Sequence, residues 1–280
     1  MGANQQLREG PLPALAAKLQ RYWRHTVLVV VPLALLAQIM AHGRITQDPA
    51  YHDFADQRRL LGIPHFLDVA SNLPFLIVGA AGLLLCLGPR RPPRCASWAT
   101  FFAGATLTFF GSTRYHLAPS DATLVWDRLP MTIAFMAFFT ALVSEHVGER
   151  LERYVLVPAV ALGLASVLWW YYGGDLRLYY WVQSVPLVCL PFSILMFRAM
   201  YTHRVCLVYG LALYVLAKLA EAWDLEIYSL TSGTVSGHTL KHLLAASAVL
   251  CVYLMLRLRR PAPRGTSAPR IAAAARVAAD

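Results

Sequence analysis

Residues 68–87 read DVASNLPFLIVGAAGLLLCL, and this run of about 20 residues holds a single charged side chain. A helix rises about 1.5 Å per residue, so the run is long enough to cross the roughly 30 Å hydrocarbon core of a membrane. A shorter apolar run at 26–42 precedes it. Six further runs follow, at 97–117, 124–145, 154–172, 178–198, 205–223 and 237–258. The sequence therefore predicts an all-α polytopic membrane protein of eight spans: a seven-helix bundle with one N-terminal transmembrane helix added.

The composition agrees with a membrane protein and argues against a nucleic-acid-binding one. Of the 280 residues, 58% are hydrophobic and 14% are charged, whereas soluble domains carry about 25% charged residues. The formal charge of +10 comes mainly from loops and tails between the apolar runs, so we expect no nucleic-acid partner. We predict a basic cytoplasmic tail over residues 1–25, a helical domain over 26–258 and a disordered basic tail over 259–280.

The basic residues also predict the orientation in the membrane. The tails and loops on one side carry 17 Lys and Arg residues, and the loops on the other side carry 4. Because Lys and Arg accumulate on the cytoplasmic side, we expect both termini in the cytoplasm. The end of span three and the starts of spans four and eight then lie in one layer at the outer face.

That outer layer holds the polar residues that point to chemistry. Gly111-Ser-Thr-Arg-Tyr-His116 closes span three, Asp127-Arg-Leu-Pro-Met131 opens span four, and Ser236-Gly-His238-Thr-Leu-Lys-His242 opens span eight. Polar groups at membrane depth are costly and indicate a functional site. Two histidines four residues apart lie on one helix face. Three histidines with an open fourth position are typical of a catalytic zinc site.

In this interpretation each polar residue has a role. His116, His238 and His242 bind Zn²⁺, Asp127 handles protons, and Ser112 donates a hydrogen bond to an oxyanion. Structural interpretations stand beside it. A lone histidine at a helix end is usually interfacial, Ser112 can bond to a carbonyl of its own helix, and Asp127 can cap a helix or pair with Arg128. Lys241 would add positive charge nearby.

At these residues the sequence resembles the alkaline ceramidase family, within the wider group of seven-helix membrane hydrolases that also contains the Per1 and adiponectin-receptor families. The matching pieces are Ser71-Asn72, Gly111-Ser112-x-x-x-His116, Asp127-Arg-Leu-Pro-Met131 and His238-x-x-x-His242, within about residues 60–258. The resemblance implies zinc on the three histidines and catalytic roles for Ser112 and Asp127. It also implies hydrolysis of the ceramide amide to a sphingoid base and a fatty acid.

The chain departs from that family in two places. Animal alkaline ceramidases have an acidic, Trp-containing calcium segment before the first core helix. Here that region contains Asp48, Asp53 and Asp56 in a different pattern, so we do not expect calcium. The extra first helix and the Arg- and Ala-rich composition resemble a bacterial member, placed in the inner membrane with the site toward the periplasm. The membrane substrate is then ceramide or another N-acyl lipid.

Other functions remain open from the sequence. The first is a receptor or sensor of the adiponectin-receptor type with a structural zinc, and the second is a Per1-like lipid esterase. A haem protein would use His116 and His242 as axial ligands but leaves Asp127 without a role. A retinal protein would use Lys218 or Lys241 as its Schiff base, and the histidine cluster argues against it.

Overall fold

The computed structural model describes residues 11–89, 91–92 and 95–262, with side chains described from Tyr22 onward. These residues form helices and loops without a sheet. Two short 3-10 helices lie in loops, at Pro49–His52 and Glu149–Leu151. The α-helices are α1 (Pro11–Ala41), α2 (Phe66–Ala70), α3 (Leu73–Leu87), α4 (Cys95–Leu117), α5 (Asp121–His146), α6 (Glu152–Gly173), α7 (Arg177–Met196), α8 (Val205–Ala222), α9 (Asp224–Leu230) and α10 (Gly237–Leu258).

The architecture is that of an all-α polytopic membrane protein. Within the described part of the chain, 7 segments are long and apolar enough to cross a bilayer, with α2 and α3 counted together as one of them. The eighth predicted span corresponds to α4, whose 23 residues are long enough. Helix α4 carries several hydroxyl side chains together with Arg114 and His116, which lower its mean hydropathy. The count of eight spans therefore stays a prediction.

Three features of the helices differ from the sequence-based prediction. Helix α1 begins at Pro11, so the described part of the predicted tail over 1–25, for which the sequence allows at most an interfacial helix, is helical. The predicted continuous span 68–87 is broken at Ser71 and Asn72, because Pro74 has no amide hydrogen to continue the helical ladder. The short helix α9, between spans seven and eight, was not predicted.

The two predicted tails are only partly described. Residues 1–10 and 263–280 lie outside the described residues. The start of the predicted C-terminal tail is held in place, which corrects its assignment as disordered from residue 259 onward. Arg259 forms a buried ion pair with Glu145, and the backbone of Arg260 and Ala262 bonds to the loop at 200–202.

Helix α1 is attached to the rest of the bundle at its C-terminal end. The Arg177 guanidinium donates to the carbonyl oxygens of Met40 and His42, at 3.0 and 2.8 Å. The same guanidinium donates to both carboxylate oxygens of Asp175. These hydrogen bonds from Arg177 lower the pKa of Asp175 to about 2. The Asp175–Arg177 pair therefore fixes the end of α1 against the loop between α6 and α7.

We expect Asp175→Asn to lower the melting temperature of the detergent-purified protein by roughly 3–10 °C at pH 7, because charge-assisted hydrogen bonds are lost. The pKa of Asp175 is lower in the folded protein than its ordinary value. Its stabilisation is therefore complete above about pH 4 and is lost as the pH falls toward 2. The difference between parent and variant should shrink between pH 7 and pH 2.5. The exposed Asp53→Asn is the control, and an equal loss in both variants would contradict this account.

Candidate metal centre

The candidate site forms where α4, α5 and α10 approach closely. Gly111 on α4 packs against the backbone of Trp126 and Asp127 on α5, where a Cβ atom would overlap the Trp126 carbonyl. Pro130 lacks the amide hydrogen that would bond to this carbonyl within the helix, so the carbonyl is free to face α4. The glycine of one predicted motif therefore fits against the carbonyl that the proline of the other motif leaves without a helical partner. This contact brings Ser112 and Asp127 together.

Gly237 makes the corresponding contact at the start of α10. A Cβ atom there would overlap the carbonyl of Ala220 and crowd the backbone of Asp224. The Asp224 carboxylate accepts a hydrogen bond from the backbone N–H of His238 at 2.6 Å and from that of Ala55 at 2.9 Å. Helix N-termini favour such carboxylates because their first N–H groups have no helical partner. The first turn of α10, which carries His238, is thereby fixed to the preceding loops.

The three predicted histidines meet inside the protein. His116 lies at the end of α4, and His238 and His242 lie one turn apart at the start of α10. One ring nitrogen from each lies within 4.8 Å of those of the others, and the ring centroids are 4.8 to 5.0 Å apart. All three side chains are buried. Within the described residues this is the group of His, Cys, Asp and Glu side chains that can hold a metal ion.

The donor set fits a metal. Neither ring nitrogen of His116 has a hydrogen-bond partner, although both are buried. Unpaired buried polar atoms are costly, and a metal bound between the rings would satisfy one of them. Nitrogens around a tetrahedral zinc ion lie about 3.4 Å apart, so closing the site requires shifts on the order of 1 Å. The structure thus brings together three histidines that could hold a metal ion.

His242 is oriented by a second layer of contacts. Its Nδ1 lies 2.9 Å from the Ser71 hydroxyl, which itself donates to the backbone carbonyl of Asp68. His242 therefore donates from Nδ1, which leaves Nε2 as the free ligand atom. The Asp68 carboxylate accepts from the hydroxyls of Thr239 and Ser236 at 2.6 and 3.3 Å. The break between α2 and α3 thus holds the histidine-bearing end of α10.

We expect Ser71→Ala to weaken metal binding by about 10- to 100-fold, the usual effect of losing an outer partner of a histidine ligand. The measurement is competition between the protein and a chelator of known zinc affinity. Ser229→Ala is the matched control, because Ser229 is exposed and bonds to the backbone of its own short helix. Unchanged zinc affinity in Ser71→Ala would show that this serine does not orient His242.

The sequence suggested that Lys241 adds positive charge near the site. In the structure Lys241 also contacts one of the three histidines directly. Its ammonium group donates to Nε2 of His238 at 2.8 Å and to the Glu221 carboxylate at 3.1 Å. Glu221 also pairs with Lys218 and accepts from the Tyr51 hydroxyl. Metal binding through Nε2 of His238 requires Lys241 to move, and Glu221 provides the carboxylate that retains it.

Ser112 and Asp127 lie beside the histidines. Both side chains are buried, and the Ser112 hydroxyl lies near the Asp127 carboxylate. Together with His242 they line a cavity of about 210 Å³. No ion pair between Asp127 and Arg128 forms within the described residues, so the alternative pairing of these neighbours is not seen. The cavity joins the hydroxyl, the carboxylate and one candidate metal ligand.

Phe54, in the loop after α1, covers the histidines from the other side. Its ring centroid lies 4.7 Å from that of His116 and 4.6 Å from that of His238, and its side chain is buried. The packing leaves no room for a porphyrin between these rings, which argues against the haem alternative.

Two of the three carboxylates considered for calcium have partners close to them in the sequence. Asp48 accepts a hydrogen bond from the Ala50 N–H, and Asp56 forms an ion pair with Arg58.

Comparisons with known proteins do not place this chain in a family. No family model matches it, and no curated protein matches it. The resemblance drawn from the spacing of the serine, aspartate and histidines therefore stays a prediction.

Proposed function

We propose that this protein is a zinc-dependent integral-membrane lipid amidase. It hydrolyses the N-acyl amide bond of ceramide or a similar N-acyl lipid, which gives a free fatty acid and a sphingoid-type amine. The observation that carries the proposal is the cluster of three buried histidines, one of which, His242, lines the same cavity as Ser112 and Asp127. Of the helices around this cavity, α3, α5, α7, α8 and α10 are apolar enough to cross a membrane.

The chain supplies the groups that amide hydrolysis needs. Zinc, when held by the three histidines, supplies water with a pKa near 7 and polarises a carbonyl. Asp127 accepts the proton that the attacking water loses. As the C–N bond breaks, Asp127 returns this proton to the leaving nitrogen, so that one water is consumed and an amine and a carboxylic acid form. The Ser112 hydroxyl donates to the oxygen that gains negative charge.

The lining of the cavity suits a lipid whose reacting bond lies at the polar end. Ser112, Asp127 and His242 form part of the polar wall. Apolar side chains line much of the remainder, where an acyl chain can pack against them. The apolar residues include Phe75, Phe101, Ala105, Met131, Phe135 and Val249. The substrate would then reach the site from within the bilayer.

Two alternatives predict different properties. A receptor with a structural zinc needs neither Ser112 nor Asp127, and structural zinc sites usually have four protein ligands. The metal group in the described part of the chain has three, which favours a site with an open position. A lipid esterase would use the same residues, and only its products distinguish it from an amidase.

The test uses the detergent-purified protein with N-palmitoylsphingosine and with a matched lipid in which an ester replaces the amide. The reaction is run in ¹⁸O-labelled water and both products are followed by mass spectrometry. We expect labelled palmitate and free sphingosine in equal amounts from the amide. Cleavage of the ester alone would establish the esterase, and cleavage of neither lipid by zinc-loaded protein would contradict the proposed function.

Ser112→Ala should lower the turnover rate by roughly 10²- to 10³-fold while zinc content stays at the parental value, because one oxyanion donor is lost. Initial rates at saturating lipid, together with metal analysis, provide the measurement. Ser247→Ala is the control, since this serine donates only to the Leu243 carbonyl of its own helix. A parental rate in Ser112→Ala would remove Ser112 from the mechanism.

We also propose the membrane orientation that the basic residues indicate. Both termini then lie in the cytoplasm, and the metal centre lies toward the periplasmic face of a bacterial inner membrane. The loops that cover the centre, including the one that carries Phe54, are on that outer side.

A further inference from the structure

Arg128 is a buried cation without a carboxylate partner. Its side chain is 4% exposed. Within the described residues, no Asp or Glu lies within ion-pair distance of its guanidinium. Instead the guanidinium lies against aromatic rings, 4.0 Å from the centroid of Trp170 and 4.6 Å from that of Tyr179. A buried charge is costly unless it is paired and hydrogen-bonded.

The hydrogen bonds of Arg128 are also incomplete. Its Nη2 donates to the Gln47 side-chain oxygen at 2.7 Å, whereas its buried Nη1 has no acceptor. Aromatic faces stabilise the charge of a guanidinium but do not accept its in-plane N–H groups. The aromatic rings therefore confine the guanidinium and leave its Nη1 donors unused. A planar guanidinium edge is suited to two parallel hydrogen bonds with a carboxylate.

Arg128 lines the same cavity as Ser112, Asp127 and His242. The other cations on this wall, Lys218 and Lys241, both pair with Glu221. Arg128 therefore supplies the positive charge that the cavity wall does not neutralise by an ion pair. Arg128 also directly follows Asp127 in α5, so its backbone lies about 3.8 Å from that of the proposed proton carrier.

We infer that Arg128 binds a carboxylate on the amine side of the substrate. The preferred lipid class is then the N-acyl amino acids, with ceramide, which is neutral, as a poorer ligand. The inference rests on the proposed amidase function, because it assigns the substrate of that same cavity. The acyl chain packs along the apolar wall, the amide lies at Ser112 and Asp127, and the carboxylate pairs with Arg128.

The test compares two ligands of equal chain length, N-palmitoylglycine and N-palmitoylethanolamine, which differ in a carboxylate against a hydroxyl. Binding is measured in a nonionic detergent on full-length protein that carries Asp127→Asn, so that neither ligand is consumed. We expect about 10- to 100-fold tighter binding of the carboxylate, the range for charge-assisted hydrogen bonds. Adding Arg128→Gln should bring the ratio of the two dissociation constants to within about threefold of one.

Several outcomes decide the inference. Equal affinity of the Asp127→Asn protein for N-palmitoylglycine and N-palmitoylethanolamine would overturn it. A ratio of the two dissociation constants that the added Arg128→Gln leaves unchanged would also overturn it. Palmitate is the third ligand, and tighter binding of palmitate than of N-palmitoylglycine would assign Arg128 to the product and overturn the proposal. Arg128→Lys, which keeps the charge and loses the planar fork, should give an intermediate ratio. If the glutamine variant does not fold, Arg128→Lys decides instead, and a ratio equal to that of the Asp127→Asn protein would overturn the inference.

Turnover is also measured on the protein that keeps Asp127 and Arg128. These rates distinguish a failure of the Arg128 inference from a failure of the proposed amidase function. A carboxylate preference in binding without hydrolysis of any N-acyl lipid would retain the Arg128 site and remove the amidase. Hydrolysis of both amides with equal specificity constants would retain the amidase and remove the Arg128 site.

Discussion

His116→Ala, His238→Ala and His242→Ala are each expected to reduce bound zinc from about one per chain to less than about a tenth, and to abolish turnover. A catalytic zinc site has only three protein ligands, so the loss of one leaves two imidazoles that cannot retain the ion through purification. The measurement is elemental analysis of detergent-purified protein after gel filtration. Turnover is measured on the same samples.

His42→Ala is the matched control for the histidine variants. His42 is exposed at the end of α1, and only its backbone carbonyl is used in the contacts that hold that helix. Its zinc content and turnover should equal those of the parent. A histidine variant that keeps one zinc per chain would exclude that histidine from the site.

Asp127→Asn is expected to retain about one zinc per chain and to lower turnover by roughly 10²- to 10⁴-fold, the contribution of a positioned acid or base. Asparagine has nearly the same shape as aspartate, but it cannot take up the proton of the attacking water. Metal content and initial rates measured on one preparation separate this effect from loss of the ion.

Asp121→Asn is the control for Asp127→Asn. Asp121 lies at the start of the same helix, more than half exposed, and contacts His52. Its rate should stay close to the parental one. Full activity in Asp127→Asn would contradict the proton-transfer role, whereas loss of zinc in that variant would show that Asp127 supports the metal centre itself.

Most of the helical architecture could be predicted from apolar length, because a membrane span must be long and must satisfy its own backbone. The differences arise where a local residue competes with that pattern. Pro74 breaks the span at Ser71 and Asn72, and the side chains of these two residues bond to the Asp68 carbonyl. The early start of α1 and the short helix α9 could not be predicted, because residues there have no long apolar run.

The candidate site could be predicted in its central residues only. The topology places His116, Asp127 and His238 in one layer. The structure brings His116 and His238 together with His242, and Asp127 lines a cavity with His242. Phe54 gave no signal in the sequence, because a single phenylalanine in a loop has no spacing pattern. Arg128 lies within a predicted motif. Its contacts with aromatic rings of other helices could not be predicted from that motif.

We propose that three histidines hold a zinc ion with one position open to water. X-ray absorption at the zinc edge of the purified protein tests this coordination directly. We expect about four light-atom ligands at roughly 2.0–2.1 Å, with the multiple scattering of three imidazoles. A sulfur shell near 2.3 Å, or fewer than three imidazoles, would contradict it.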